Sequence, residues 1–141
     1  MPDKDLKNAH PLVLMPQAQD CRGALCVVQN GSGMLPFDVK RVFWIYNVPE
    51  KQHRGCHAHR TCSEVLFAVH GAVDVTLQTS SGRHTYHLDS PAKGLYIEPM
   101  CWCELKNFSE DAVCLCLSDQ EYDEAGYIHD FEEWKRKINK E

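Results

Sequence analysis

Along AVDVTLQ, residues 72–78, apolar and polar side chains alternate without a slip. Val73, Val75 and Leu77 fall on one face, and Asp74, Thr76 and Gln78 on the other. A period of two belongs to a strand with one buried face. The segment ends at SSG, a hairpin turn, and RHTYHL returns. The same cadence recurs. KRVFWIYNVP, CHAHRTCSEVLFAVHG, GLYIEP and AVCLCLS are rich in β-branched and aromatic residues, with turns between them. PLVLMPQ and GALCVVQ read as two early strands separated by QDCR, while NGSGMLPF and PEKQHRG read as loops. Strands spaced about 8–12 residues apart specify a sandwich or barrel.

Only the end changes period. Asp130 and Glu133 form a D-x-x-E start resembling a capping box, and Phe131, Trp134 and Ile138 then fall on one helical stripe. The expectation is an all-β domain over residues 1–141, with a loose leader at 1–10 and a helix at 130–140. A chain of 141 residues suits one core.

Charge and composition narrow the partners. The net charge is −5 and no basic block appears, which argues against nucleic acid. A local arginine pocket can still bind an anion under that global sign. MPDKDLKNAH lacks the apolar run of a signal peptide, and no stretch approaches the roughly 20 apolar residues of a membrane helix. A cytoplasmic protein is expected. Its eight cysteines include no C-x-x-C pair. Without a secretory signal they read as reduced residues of core or pocket.

The chemistry concentrates in RGCHAHRTCSE, residues 54–64. Alternation puts His57 and His59 on one strand face and turns Ala58 away. Two imidazoles side by side on a concave face, with Glu64 following, can hold a metal or act as an acid/base pair.

The spacing H-x-H-x4-E-x6-G, from His57 through Glu64 to Gly71, resembles the first motif of the cupin superfamily. That resemblance implies a double-stranded β-helix, or jelly-roll, barrel. In metal-dependent cupins both histidines and the glutamate are ligands, and a second motif adds a third histidine. The matching stretch here is PMCWCELKN, with Pro99 and Asn107 present but Cys101 and Glu104 near the places of the motif's glycine and histidine.

A longer resemblance joins DCRGAL, LPFDVKRVFWIYNVPEKQHRGCHAHR and KGLYIEPMCWCELKNFSEDAVCLCLSDQEYDEAGYIHDFEEW. Together these resemble the sugar 3,4-ketoisomerase family of WxcM-like cupins. The resemblance implies a homodimer that uses no metal or other cofactor and takes a dTDP-4-keto-6-deoxyhexose as substrate. It implies catalysis by the histidine pair His57 and His59; of the two we assign His57 as the base, with His59 as partner or shuttle between oxygens. Arg22, Arg41 and Arg54 become candidates for pyrophosphate or carbonyl contacts. Tyr46 is a candidate for the sugar, and Trp102, Tyr96 and Cys103 for the pocket wall. Cys103 stands where the family commonly has arginine or histidine. Three other readings share the barrel: a metal-dependent cupin such as a dioxygenase, a nucleotide-sugar epimerase, and a sugar-binding protein without activity.

Overall fold

The computed structural model describes residues 9–13 and 18–140. In chain order the strands are β1 Ala9–Val13, β2 Ala18–Asp20, β3 Gly23–Leu25, β4 Arg41–Tyr46, β5 Arg54–His59, β6 Glu64–His70, β7 Val73–Thr79, β8 Gly82–Leu88, β9 Lys93–Ile97, β10 Trp102–Lys106, β11 Val113–Ser118 and β12 Tyr127–Ile128. A 3-10 turn, Glu124–Gly126, precedes β12, and helix α1, Phe131–Ile138, closes the chain. The leader therefore ends sooner than expected: Ala9 and His10 belong to β1, and residues 1–8 lie outside the described residues. The QDCR separator is likewise not a simple break, because it contains the end of β2 and the turn of a small β2–β3 hairpin.

Two five-stranded sheets face each other, in the orders β1-β9-β6-β11-β4 and β12-β5-β10-β7-β8. Alternation sorts each strand between core and exterior. Leu66, Ala68, Val75, Leu77, Leu95 and Leu105 meet in the main core. Val65, Phe67 and Leu117 point outward under Leu35 and Phe37. The thiols of Cys101, Cys103, Cys114 and Cys116 fill inward positions, and all eight cysteines are free. Among the described residues, no helix is long and apolar enough to cross a membrane.

Helix α1 begins where the sequence places it. The Asp130 side chain accepts from the Glu132 N–H, which satisfies one of the free donors of the first turn. The apolar stripe, Phe131, Trp134 and Ile138, covers the outer face of the second sheet at Ala58, Trp102 and Ile128. Ala58 is fully buried there, which explains a small residue between the two histidines.

Candidate active site

A cavity of about 920 Å³ opens between β4 and β5. His57, Glu64, Cys103 and Cys116 lie along it, with Tyr46 and Arg54 also on its lining. Glu64 and Cys103 arrive by the parity of their strands, whereas Tyr46 shares the exposed face of edge strand β4 with Val42 and Trp44. Glu64 shares the inner face of β6 with Leu66, and Cys103 shares that of β10 with Leu105. His57 depends on a local irregularity as well. Cys103 pairs with His57 but Glu104 pairs with Gly55, which leaves Cys56 as the extra residue of a β-bulge. Gly55 and Cys56 both take positive φ, 79° and 56°. Bulges of this kind bend a strand and re-aim the side chain that follows.

Gly55 is needed for a second reason. A Cβ there would stand 2.9 Å from Leu105 Cδ1 and 3.0 Å from the Cys103 carbonyl oxygen. Gly55→Ala is expected to cost about 1–3 kcal/mol of stability. Its activity should fall further than its denaturation midpoint, because the bulge sets the aim of His57. Urea unfolding and initial rates on the same sample check both.

The two histidine rings meet edge to face, with centroids 4.8 Å apart, but they occupy different depths. His57 faces the large cavity. His59 is only 7% exposed and borders a small separate void with Arg41 and Tyr127. Its Nε2 lies 3.0 Å from Glu64 Oε1 without a well-directed hydrogen bond. Ser118 Oγ–H donates to the other Glu64 oxygen at 3.2 Å.

Burial lowers the proton affinity of His57 below the ordinary histidine value, and the charge of His59 lowers it further. A hydrogen bond to the Gly55 backbone and the Glu64 charge act in the opposite sense. The result is an imidazole biased toward the neutral, proton-accepting form. Burial alone would push the Glu64 carboxyl up. The close contact with His59 and the charges of both histidines outweigh that and hold it below the usual carboxylate value.

His57, His59 and Glu64 offer donor atoms within 4.8 Å of one another, close enough to surround an ion. Ser118 holds one Glu64 oxygen, and the other stands 3.0 Å from His59 Nε2. Glu104, the remaining candidate, lies 3.7 Å from Arg83 Nη2 and is not in the cluster.

The other expected residues separate. Cys103 sits in the cavity opposite His57, and burial raises its thiol pKa well above the ordinary value. Tyr46 and Arg54 are at the cavity. Arg41 is not: it lies behind the histidines, its Nη2 donating to Tyr127 Oη at 3.2 Å. Arg22 projects from the β2–β3 turn and pairs with Asp20 at 2.9 Å, away from this cavity. Trp102 faces outward under α1, because its parity on β10 is opposite to that of Cys103. Tyr96 likewise packs outside the barrel, beside Phe37.

Several polar residues of the cavity were not expected from the sequence, Gln52 and His53 on the loop before β5 among them. Tyr122, Glu124, Tyr127 and His129 come from the segment that crosses the barrel end before α1. The Tyr127 ring lies 5.0 Å from His57, 4.6 Å from His59 and 5.4 Å from His129, the last nearly parallel. The segment is too short for a period to show, although its tyrosines, glutamate and histidine were plain to see.

The family model described as FdtA: WxcM-like, C-terminal matches residues 8–139. A TDP-4-oxo-6-deoxy-alpha-D-glucose-3,4-oxoisomerase of Aneurinibacillus thermoaerophilus is 36% identical over 121 residues, covering 86% of both chains. Among solved structures, a sugar 3,4-ketoisomerase from Thermoanaerobacterium thermosaccharolyticum in complex with TDP superposes with a TM-score of 0.91. It is 32% identical and the match covers 96% of this chain and 97% of that one. A TDP-quinovose 3,4-ketoisomerase from Campylobacter jejuni superposes with a TM-score of 0.86 at 36% identity, over 92% and 98% of the two chains.

Proposed function

This chain belongs to the FdtA family, WxcM-like, C-terminal, and we propose that it moves the keto group of a dTDP-4-keto-6-deoxyhexose from C4 to C3. The observation that carries this reading is His57: a half-buried imidazole, biased toward its neutral form, on the wall of a cavity large enough for a sugar. The chemistry needs such a base. The C3 proton lies beside a ketone and is only weakly acidic, so it must be removed by a group placed against it. His57 takes that proton, the electron pair forms the C3–C4 double bond, and the carbonyl pair moves onto O4. The enediol so formed is reprotonated at C4 by the same imidazole, and the new carbonyl forms at C3. Oxidation at one carbon balances reduction at the other, so no redox cofactor is required.

His59 and Glu64 form the buried support behind His57. Tyr46 and Arg54, on the cavity lining, are assigned to the bound nucleotide sugar, with Cys103 beside the reacting carbons. The whole forms a single domain. We assign the protein to the cytoplasm, a reading supported by its eight free cysteines. A homodimer is supported by edge strand β4, whose exposed face carries Val42 and Trp44, 50% and 58% exposed. Sedimentation velocity reads that state, and a monomer would overturn it.

NMR of dTDP-4-keto-6-deoxyglucose incubated with the protein in D2O tests the activity. The expected result is a carbonyl at C3, with deuterium entering the ring. Ring exchange with the carbonyl remaining at C4 would instead describe an epimerase, and no exchange would leave only a binding protein.

A further inference from the structure

The reaction proposed above moves two hydrogens, and one imidazole accounts for only one of them. A proton passes from C3 to C4, and a second must leave O3 and reach O4. We infer that His129 is the acid/base group that carries this hydroxyl proton, with Glu124 and Tyr122 as the residues that position it. The inference rests on the ketoisomerase reading.

Three observations point to His129. First, its imidazole lines the cavity within ring-contact range of His57; His53 lines the cavity too, from the loop before β5. His59 is not available for the task, since it is buried behind His57 with its Nε2 against Glu64. Second, the ring is held. Its Nε2 lies 2.9 Å from Glu124 Oε1, and Tyr122 O–H donates to Glu124 Oε2 at 2.6 Å. The ring also stacks on Tyr127 with an interplanar angle of 2°. Third, the anchoring defines the tautomer. An ionised carboxylate only accepts hydrogen bonds, so Nε2 carries the hydrogen, and Nδ1 is the ring position left to exchange a proton. The Tyr122 hydrogen bond, followed by that of His129, holds Glu124 below the ordinary carboxylate value and so keeps it ionised. The ring centroids of His129 and His57 are 6.1 Å apart. A hexose edge presented to both would meet one base at carbon and the other at oxygen.

The step balances without a co-reactant. His57 takes the C3 proton and the enediolate forms with its charge on O4. His129 Nδ1 takes the proton from O3 and delivers it to O4. The O3 lone pair then forms the new carbonyl while the double-bond pair takes the proton from His57 at C4.

An exposed histidine–glutamate pair that served only the surface would leave the chemistry untouched. Two rates measured in D2O separate the roles: deuterium entry at C3 of unreacted substrate, and relocation of the carbonyl. Exchange at C3 needs only His57, whereas relocation needs both transfers. His129→Gln is expected to slow relocation about 10²-fold or more while retaining most of the C3 exchange, so the ratio of exchange to relocation rises. Glu124→Gln and Tyr122→Phe should raise the ratio less. The side chains of His129 and Glu124 are 57% and 65% exposed, so their replacement leaves the fold intact. An unchanged ratio in His129→Gln, whether both rates fall together or neither falls, would overturn the assignment. Wild-type protein showing neither exchange nor relocation would instead overturn the underlying activity.

Discussion

His57→Asn loses carbonyl relocation, with kcat/KM falling by about 10²–10⁴-fold, while the protein remains folded. Asparagine approximates the size and polarity of the imidazole but cannot accept a proton near neutral pH. Deuterium entry at the ring carbons should disappear with it, because the same proton transfer opens both processes. Full activity in His57→Asn would remove the base assignment entirely.

The pH dependence of the wild type gives a second reading of the same residue. Burial and the neighbouring His59 lower the proton affinity of His57 from the ordinary histidine value of 6.5. The acid limb of kcat/KM should therefore fall below pH 6.5, since the neutral base persists to lower pH. The effect on stability has a definite sign. The unfolded chain takes up a proton at this position as pH falls through 6.5, and the folded chain resists doing so. The contribution is thus fully present above 6.5 and is lost as pH falls from there toward the lower folded value. An acid limb above pH 6.5 would contradict the burial argument.

Trp134→Ala should be the most costly single change to the fold. Trp134 is fully buried between α1 and the outer face of the second sheet, against Trp102 and Phe131. Truncating a buried tryptophan costs about 3–5 kcal/mol, a large part of the about 5–15 kcal/mol that holds a domain together. The loss extends toward the site through two hydrogen bonds. Trp134 Nε1–H donates to the Met100 carbonyl at 2.8 Å, and the Met100 N–H donates to the His59 carbonyl at 2.7 Å. Trp134→Phe keeps most of the ring but leaves the Met100 carbonyl without its indole donor. It should cost less than alanine, by the difference between a lost hydrogen bond and a lost side chain. Urea denaturation of the two variants gives the order, and an alanine variant as stable as wild type would show that the helix does not brace the sheet.

The sequence foretold the strands well wherever alternation was long. Val73, Val75 and Leu77 lie on the core face as their spacing requires. It also paired His57 with His59 and set Asp130 at the helix cap. It failed where a residue's place depends on something beyond its own strand. Trp102 looked like a pocket aromatic until α1 covered it, although its parity beside Cys103 already set them on opposite faces. The arginines offered charge but no direction, and Arg41 and Arg54 ended at different depths. Tyr122, Glu124, Tyr127 and His129 escaped notice because a 3-10 turn and a two-residue strand have no period from which to read a face.

Side-chain parity is a local property of an extended backbone, so this sequence alone determined that the two imidazoles share a face and that Ala58 turns away from it. Depth is not local. It arises from how one sheet closes over the other and from where the segment before α1 comes to rest, contacts between residues as far apart in the chain as His57 and His129. Only the tertiary structure decided that His57 meets the cavity, that His59 retires behind it onto Glu64, and that the imidazole of His129 arrives at the opening.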